Sequence, residues 1–183
     1  MIKLFILTFV SLTLLISNDK LPESVLKIIP KDYTVLNFTK GDLNRDKFDD
    51  AILILKHNNE EHNEYKRPLY ILLGDENGTY KVVAKNNSVV LGREDGGIYG
   101  DPFEGVTIKR GYFSIEHYGG SSWRWSRIIT FKYNKNQKDW FLYKDGEKTY
   151  HISNPQKTTT EIQTVKDFGI VSFKNYNVFK DTE

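Results

Sequence analysis

Residues 38–55 read FTKGDLNRDKFDDAILIL. Oxygen-bearing side chains recur at alternate positions, Asp42, Asn44 and Asp46, and a fourth follows at Asp50. An unbroken apolar run, Ala51-Ile52-Leu53-Ile54-Leu55, comes directly after them. A short apolar run of this kind suits a strand buried on both faces. Residues 33–38, with Tyr33, Val35 and Phe38, suit a strand on the other side. The unit is therefore strand, acidic loop, strand, and it points to a β-rich fold.

The loop spacing suits a single hard cation, Ca²⁺ first among them, which takes six to eight oxygen ligands. Asp42, Asn44 and Asp46 would each offer one side-chain oxygen. The main-chain carbonyl of Phe48 would add another, and Asp50 would close the ring. Asp49 is expected to point outward. The alternative is a solvated acidic turn without metal, since Asp and Asn are common turn formers.

Moving outward, residues 21–29 (LPESVLKII) read as a short amphipathic helix. Pro22 lies in its first turn and Pro30 ends it. Leu21, Val25, Leu26, Ile28 and Ile29 would face a core. Residues 56–66 are polar and include His57, Glu60, Glu61 and His62, so a solvated loop is expected. A transition-metal site there is the weaker reading. Strands are expected over 68–73, 79–84, 106–109, 112–117, 123–133 and 140–143, and a last one around 169–173. Their spacing, with Gly and Asn turns between them, argues for one antiparallel β domain over residues 18–183: a sandwich, a barrel-like sheet or a partial-propeller-like sheet.

Composition bounds the rest. Net charge is +2 with signs interspersed, which excludes a basic nucleic-acid surface. Eleven Phe, eleven Tyr and three Trp favour strands. Residues 1–17, MIKLFILTFVSLTLLIS, have the layout of a signal peptide and are short for a membrane span. The chain has no Cys, hence neither a disulfide nor a lipid-attachment thiol. The expectation is a secreted or periplasmic protein with no membrane span once the signal is removed.

The order Asp42-x-Asn44-x-Asp46-x-x-x-Asp50 between two strands resembles the calcium loop of FG-GAP (integrin-α-like) and VCBS-type repeats, over about residues 38–55. That resemblance implies Asp42, Asn44, Asp46, the Phe48 main chain and Asp50 as ligands. It departs from the pattern at the sixth position, where the family carries Gly and this chain has Lys47. It is less similar to an EF-hand loop, whose twelfth position is Glu; here that position is Leu53. Four stretches in order, at 41–50, 67–74, 96–103 and 117–125, also resemble a group of small secreted bacterial proteins. This implies export and one domain, but no activity.

A second region, residues 92–131, combines paired glycines with aromatic and charged side chains. Two glycine loops at consecutive strand ends would meet at one edge. Asp101, Glu104, His117, Tyr118, Ser121, Trp123, Arg124 and Trp125 would then cluster, a mixture suited to glycan or peptide binding. Ordinary packing competes with this reading. In an extended strand Trp123, Trp125, Arg127, Ile129, Phe131 and Tyr133 share one face, and most of that face would be core. The sequence-level expectation is an exported, Ca²⁺-binding, β-rich structural or binding module, with a glycan or an envelope protein as partner. The alternative is a secreted hydrolase using acids of the glycine-aromatic edge.

Overall fold

The computed structural model describes residues 20–60 and 65–179. The expected signal segment and His62 lie outside the described residues. The protein is mainly β, with nine strands in two antiparallel sheets. The first sheet is a meander of β1 (Tyr33–Gly41), β2 (Asp50–His57), β3 (Arg67–Gly74) and β4 (Tyr80–Val90). The second is a meander of β5 (Phe103–Lys109), β6 (Tyr112–Gly120), β7 (Trp123–Asn134), β8 (Asp139–His151) and β9 (Thr158–Thr164). The sheets do not close into a barrel, and the arrangement fits a sandwich.

The apolar run after the acidic loop finds cover on both sides. Ile52 and Ile54 of β2, with Leu69 and Ile71 of β3, join Phe113, Ile115, Ile129, Phe131 and Trp140 of the second sheet in one core. Ala51, Leu53 and Leu55 face the other way, with Tyr70, Leu72 and Tyr80. Val25 caps that cluster, and Leu21, Ile28 and Ile29 pack on its margin. Only β2 and β3, the central strands of the first sheet, are therefore buried on both faces. Strand β6 instead alternates strictly between core and partly exposed positions, the signature of a sheet covered on one face.

Three local expectations need correction. The N-terminal helix shrinks to α1 (Glu23–Leu26), between Pro22 and a turn before Pro30. Val25 is buried but Leu26 is exposed, because a single helical turn aims few side chains at the core. There is no strand over 169–173. After β9 the chain forms α2 (Val165–Phe168), begun by a Thr164–Asp167 capping box and ended by Gly169 at φ 73°. It then touches β8 through a single Phe141–Ser172 bridge. Phe173, Tyr176 and Val178 enter the core from this segment, and the buried Asn86 amide holds the Phe173 and Tyr176 carbonyls at 2.5 and 2.8 Å. Strand β9 was not expected at all. Its sequence, TTTEIQT, shows no apolar alternation because most of the strand is solvent-exposed on both faces.

The third correction concerns residues 56–66. His57 ends β2 and stacks on Tyr65, with ring centroids 3.7 Å apart. Glu60 is buried rather than solvated. Its partner is Arg67, the first residue of β3.

Candidate functional site

The acidic loop joins β1 to β2 and is tied down from several sides. Asp50 opens β2 and is fully buried. Its Oδ2 accepts from the Leu43 and Asn44 amides at 2.8 and 3.2 Å, and its Oδ1 from Gly74 at 3.1 Å. Burial pushes the Asp50 carboxyl up to about 6, and the nearby Asp46 charge adds to this; the Leu43 and Gly74 amides pull the other way. Leu43 is a plug: its side chain sits in the core and its carbonyl accepts from Trp140 Nε1 at 3.3 Å. The turn between β5 and β6 clamps the loop further. Gly111 donates to the Asp42 carbonyl at 3.2 Å, and Arg45 Nε to the Arg110 carbonyl at 3.0 Å.

Within the loop the side chains fold back on the backbone. Asp42 accepts from the Arg45 and Lys47 amides at 2.6 and 3.3 Å, Asn44 Oδ1 from Asp46 at 2.8 Å, and Asp46 Oδ1 from Phe48 at 2.9 Å. Arg45 and Lys47 take φ 67° and 79°. These are left-handed conformations that cost a non-glycine residue about 1–2 kcal/mol each. The position where the resembling loops carry Gly thus has the backbone shape that Gly would serve. Asp42, Asp46 and Asp50 each offer an oxygen, and the three lie within 4.8 Å of one another. No lysine or arginine pairs with Asp42 or Asp46 among the described residues. A hard cation would relieve the mutual repulsion of such a group. Asn44 stands between them, its Nδ2 at 2.6 Å from Asp46 Oδ2. Phe48 is exposed at the loop tip, and Asp49 is exposed as expected. The Asp49 carbonyl packs so tightly on Gly74 that a Cβ there would lie 2.1 Å from it.

The two glycine loops do meet. Gly120 donates to the Gly96 carbonyl, and Tyr118 to that of Pro102, both at 2.8 Å. A Cβ on Gly119 would lie 2.6 Å from the Trp125 ring and 2.8 Å from Gly96 Cα. The candidate side chains around them, however, divide between two faces. Tyr118 points outward, its hydroxyl 3.0 Å from that of Tyr150. Tyr99 lies edge-on to Tyr118 at 5.1 Å, and the Arg124 guanidinium covers the Tyr99 ring at 4.1 Å. Tyr99, Glu104, Glu116, Tyr118, Ser126 and Ile128 line a shallow basin of about 400 Å³. Trp123 is 62% exposed and contacts His151, while Trp125 is partly buried against Gly119. The shared face of β7 is core only from Ile129 to Phe131, because its first residues run past the covered part of the sandwich.

His117 belongs to the interior, whereas Asp101 stays exposed and is held at the surface by Arg67. The His117 ring is buried and accepts from the Leu91 amide at 3.3 Å through Nε2, while Nδ1 has no hydrogen-bond partner. Burial pushes the imidazole down to about 4, helped by the Arg127 and Arg67 charges and opposed by Asp101 and Asp145. His117 borders the basin, but its ring is turned away from it. Asp101 accepts two 2.7 Å bonds from Arg67, which also donates to both oxygens of Glu60 and to the Leu91 carbonyl. Burial alone would raise the Asp101 carboxyl; the Arg67 fork overrides it and holds the group below its usual value. Asp101, Glu104, His117 and Arg124 therefore share no open cleft.

A second buried fork lies beside the first. Arg127 grips Asp145 at 2.8 and 3.0 Å, and the Tyr176 hydroxyl donates to the same carboxylate at 2.6 Å. Sequence reading missed both forks. The one available signal was Arg67 itself, a charge opening the otherwise apolar stretch RPLYILLG.

Two antiparallel meanders around one core, with an acidic loop at the first hairpin, define the class of this protein: a mainly β, two-sheet chain. No family model, no curated protein and no solved structure matches it. No helix among the described residues is long and apolar enough to cross a membrane.

Proposed function

We propose that the protein is an exported β-sandwich module that binds Ca²⁺ at the β1–β2 loop and acts as a structural or binding element rather than as an enzyme. The observation that carries this reading is the approach of the Asp42, Asp46 and Asp50 oxygens to within 4.8 Å of one another, with no lysine or arginine paired to Asp42 or Asp46 among the described residues. Asp42, Asn44, Asp46 and Asp50 would hold the ion through side chains, and Phe48 through its main chain as the FG-GAP-like pattern implies. Bound Ca²⁺ supplies charge neutralisation and a cross-link across the loop. The carboxylates of Asp42, Asp46 and Asp50 would be engaged as ligands of the ion.

Export rests on the signal-peptide layout of residues 1–17. A glycan or an envelope protein is the proposed partner, and the Tyr99–Tyr118 basin with Glu104 and Glu116 supports that choice: aromatic faces stack, and carboxylates accept hydroxyl hydrogens.

The test is thermal melting in Ca²⁺ against a chelator, on the parent and on Asp46→Ala. At a free Ca²⁺ ten times the dissociation constant, linkage gives about 1.4 kcal/mol. For a domain of this size that raises the melting point by about 2–6 °C. The rise should vanish in Asp46→Ala. Identical parent melting points with and without Ca²⁺ would overturn the reading.

A further inference from the structure

Four strands lie at sheet edges: β1 and β4 in the first sheet, β5 and β9 in the second. An edge presents unpaired backbone groups, and proteins guard edges with bulges, lysines, prolines or covering segments. Three of the four are guarded. β1 has a bulge between Val35 and Asn37 and carries Lys40. β4 has a register shift opposite Ile71 and Leu72, carries Lys81 and Lys85, and has its Ser88 carbonyl covered by Val178. β5 bulges between Phe103 and Gly105 and ends in Lys109.

β9 has none of these. It pairs with β8 without interruption, from Lys144–Thr164 to Tyr150–Thr158, and contains no Lys, Arg or Pro. Four of its seven residues are Thr, and with Ile162 they favour extended chain. An apolar row also runs out to this edge. Ile128, Gly146 and Ile162 are cross-strand neighbours on the open face of the second sheet, and Ile162 is 55% exposed. Ile152, Val165 and Ile170, in the segments on either side of β9, are exposed as well.

We propose that β9 is a self-pairing edge, joined antiparallel to β9 of a second copy of this chain so that two five-stranded sheets become one. An antiparallel strand meeting itself about a two-fold axis is self-complementary by symmetry. The side chains select a register. Centring the axis on Glu161 sets two like charges opposite each other, which is unfavourable. Centring it on Ile162 sets Ile162 against Ile162, Glu161 against Gln163, and Thr160 against Thr164. The carboxylate then meets an amide donor, a match already seen within one chain, where Gln163 Nε2 lies 3.2 Å from Glu161 Oε1. The apolar row continues across the axis from one sheet to the next. The second copy is preferred over a foreign strand because β9 carries its own donor–acceptor and apolar matches.

The absence of Cys makes the register testable by cross-linking. Directly opposed residues in antiparallel strands stand at Cα separations of about 4.5–5.5 Å, within disulfide reach. Ile162→Cys should therefore give a covalent dimer under mild oxidation, and much faster than Ile98→Cys, which places a thiol on an even more exposed position elsewhere. By light scattering the parent should reach twice the monomer mass at high micromolar concentration. Ile162→Lys should remain a monomer with an unchanged circular dichroism spectrum and melting profile, which separates lost pairing from lost folding. A parent that stays monomeric throughout, a dimer that survives Ile162→Lys, or cross-linking at Ile162→Cys no faster than at Ile98→Cys would each overturn the proposal.

Discussion

Lys47 carries a conformational cost in this fold and His117 an electrostatic one. Lys47 holds φ 79° in the acidic loop, where a β-carbon is strained. Glycine removes that strain but adds freedom to the unfolded chain, which offsets part of the gain. Lys47→Gly should stabilise the protein by about 0.5–1 kcal/mol. The gain should appear as a higher denaturant midpoint with an unchanged m value. His117 acts in the opposite direction as pH falls. Its imidazole takes up a proton near 6.5 in the unfolded chain but only near 4 in the buried site. Between those values the unfolded state binds more protons, so lowering pH favours unfolding. Stability should be complete above about pH 6.5 and fall by on the order of 3 kcal/mol toward pH 4 from this residue. Urea midpoints of parent and His117→Gln across that window should diverge, with the shallower slope in the variant.

At the scale of elements, the fork on Arg67 binds three pieces of chain: the turn after β2 through Glu60, β3 itself, and the segment before β5 through Asp101. Removing one partner of a buried ion pair leaves the others desolvated and unpaired, at a cost of about 3–5 kcal/mol. Arg67→Met should therefore lower the chemical denaturation midpoint strongly. Adding Glu60→Gln to that variant should recover part of the loss, since a neutral amide is cheaper to bury. The same elements mark how far pattern reading reaches. Eight strands were legible from runs such as AILIL and YILL, because apolar alternation or continuity reflects a neighbour on one face or on two. β9 was not legible, since a strand exposed on both faces needs no apolar residues. The expected strand at 169–173 failed for the converse reason: Val171 and Phe173 are apolar because they dock on the sandwich, in a segment whose only ladder contact is one bridge.

For the whole molecule, the loop and the core make separate contributions. At the centre of the core Phe113 and Phe131 of the second sheet pack with Phe173 of the C-terminal segment, ring centroids 5.0–5.8 Å apart, in one cluster with Ile52, Ile54, Leu69 and Ile71 of the first sheet. Truncating such a ring costs about 3–5 kcal/mol, more than the Ca²⁺ linkage supplies. Chelated protein should therefore keep its β-type circular dichroism and melt cooperatively at a modestly lower temperature. Phe131→Ala should lower the melting point further than chelation does, with or without Ca²⁺.

The residues alone determined the β class, the strand–loop–strand unit at 33–55, and the oxygen-bearing set Asp42, Asn44, Asp46 and Asp50. Each depends on spacing along a few consecutive residues, and local geometry converts spacing directly into direction. Only the tertiary structure decided that Glu60 is buried on Arg67, that His117 faces inward while Tyr118 and Arg124 face outward, that the exposed Asp101 is held by Arg67, and that Trp123 lies in solvent. Glu60, His117, Tyr118 and Asp101 depend for this on partners 7 to 34 positions away. No local pattern encodes which distant strand will cover a given face.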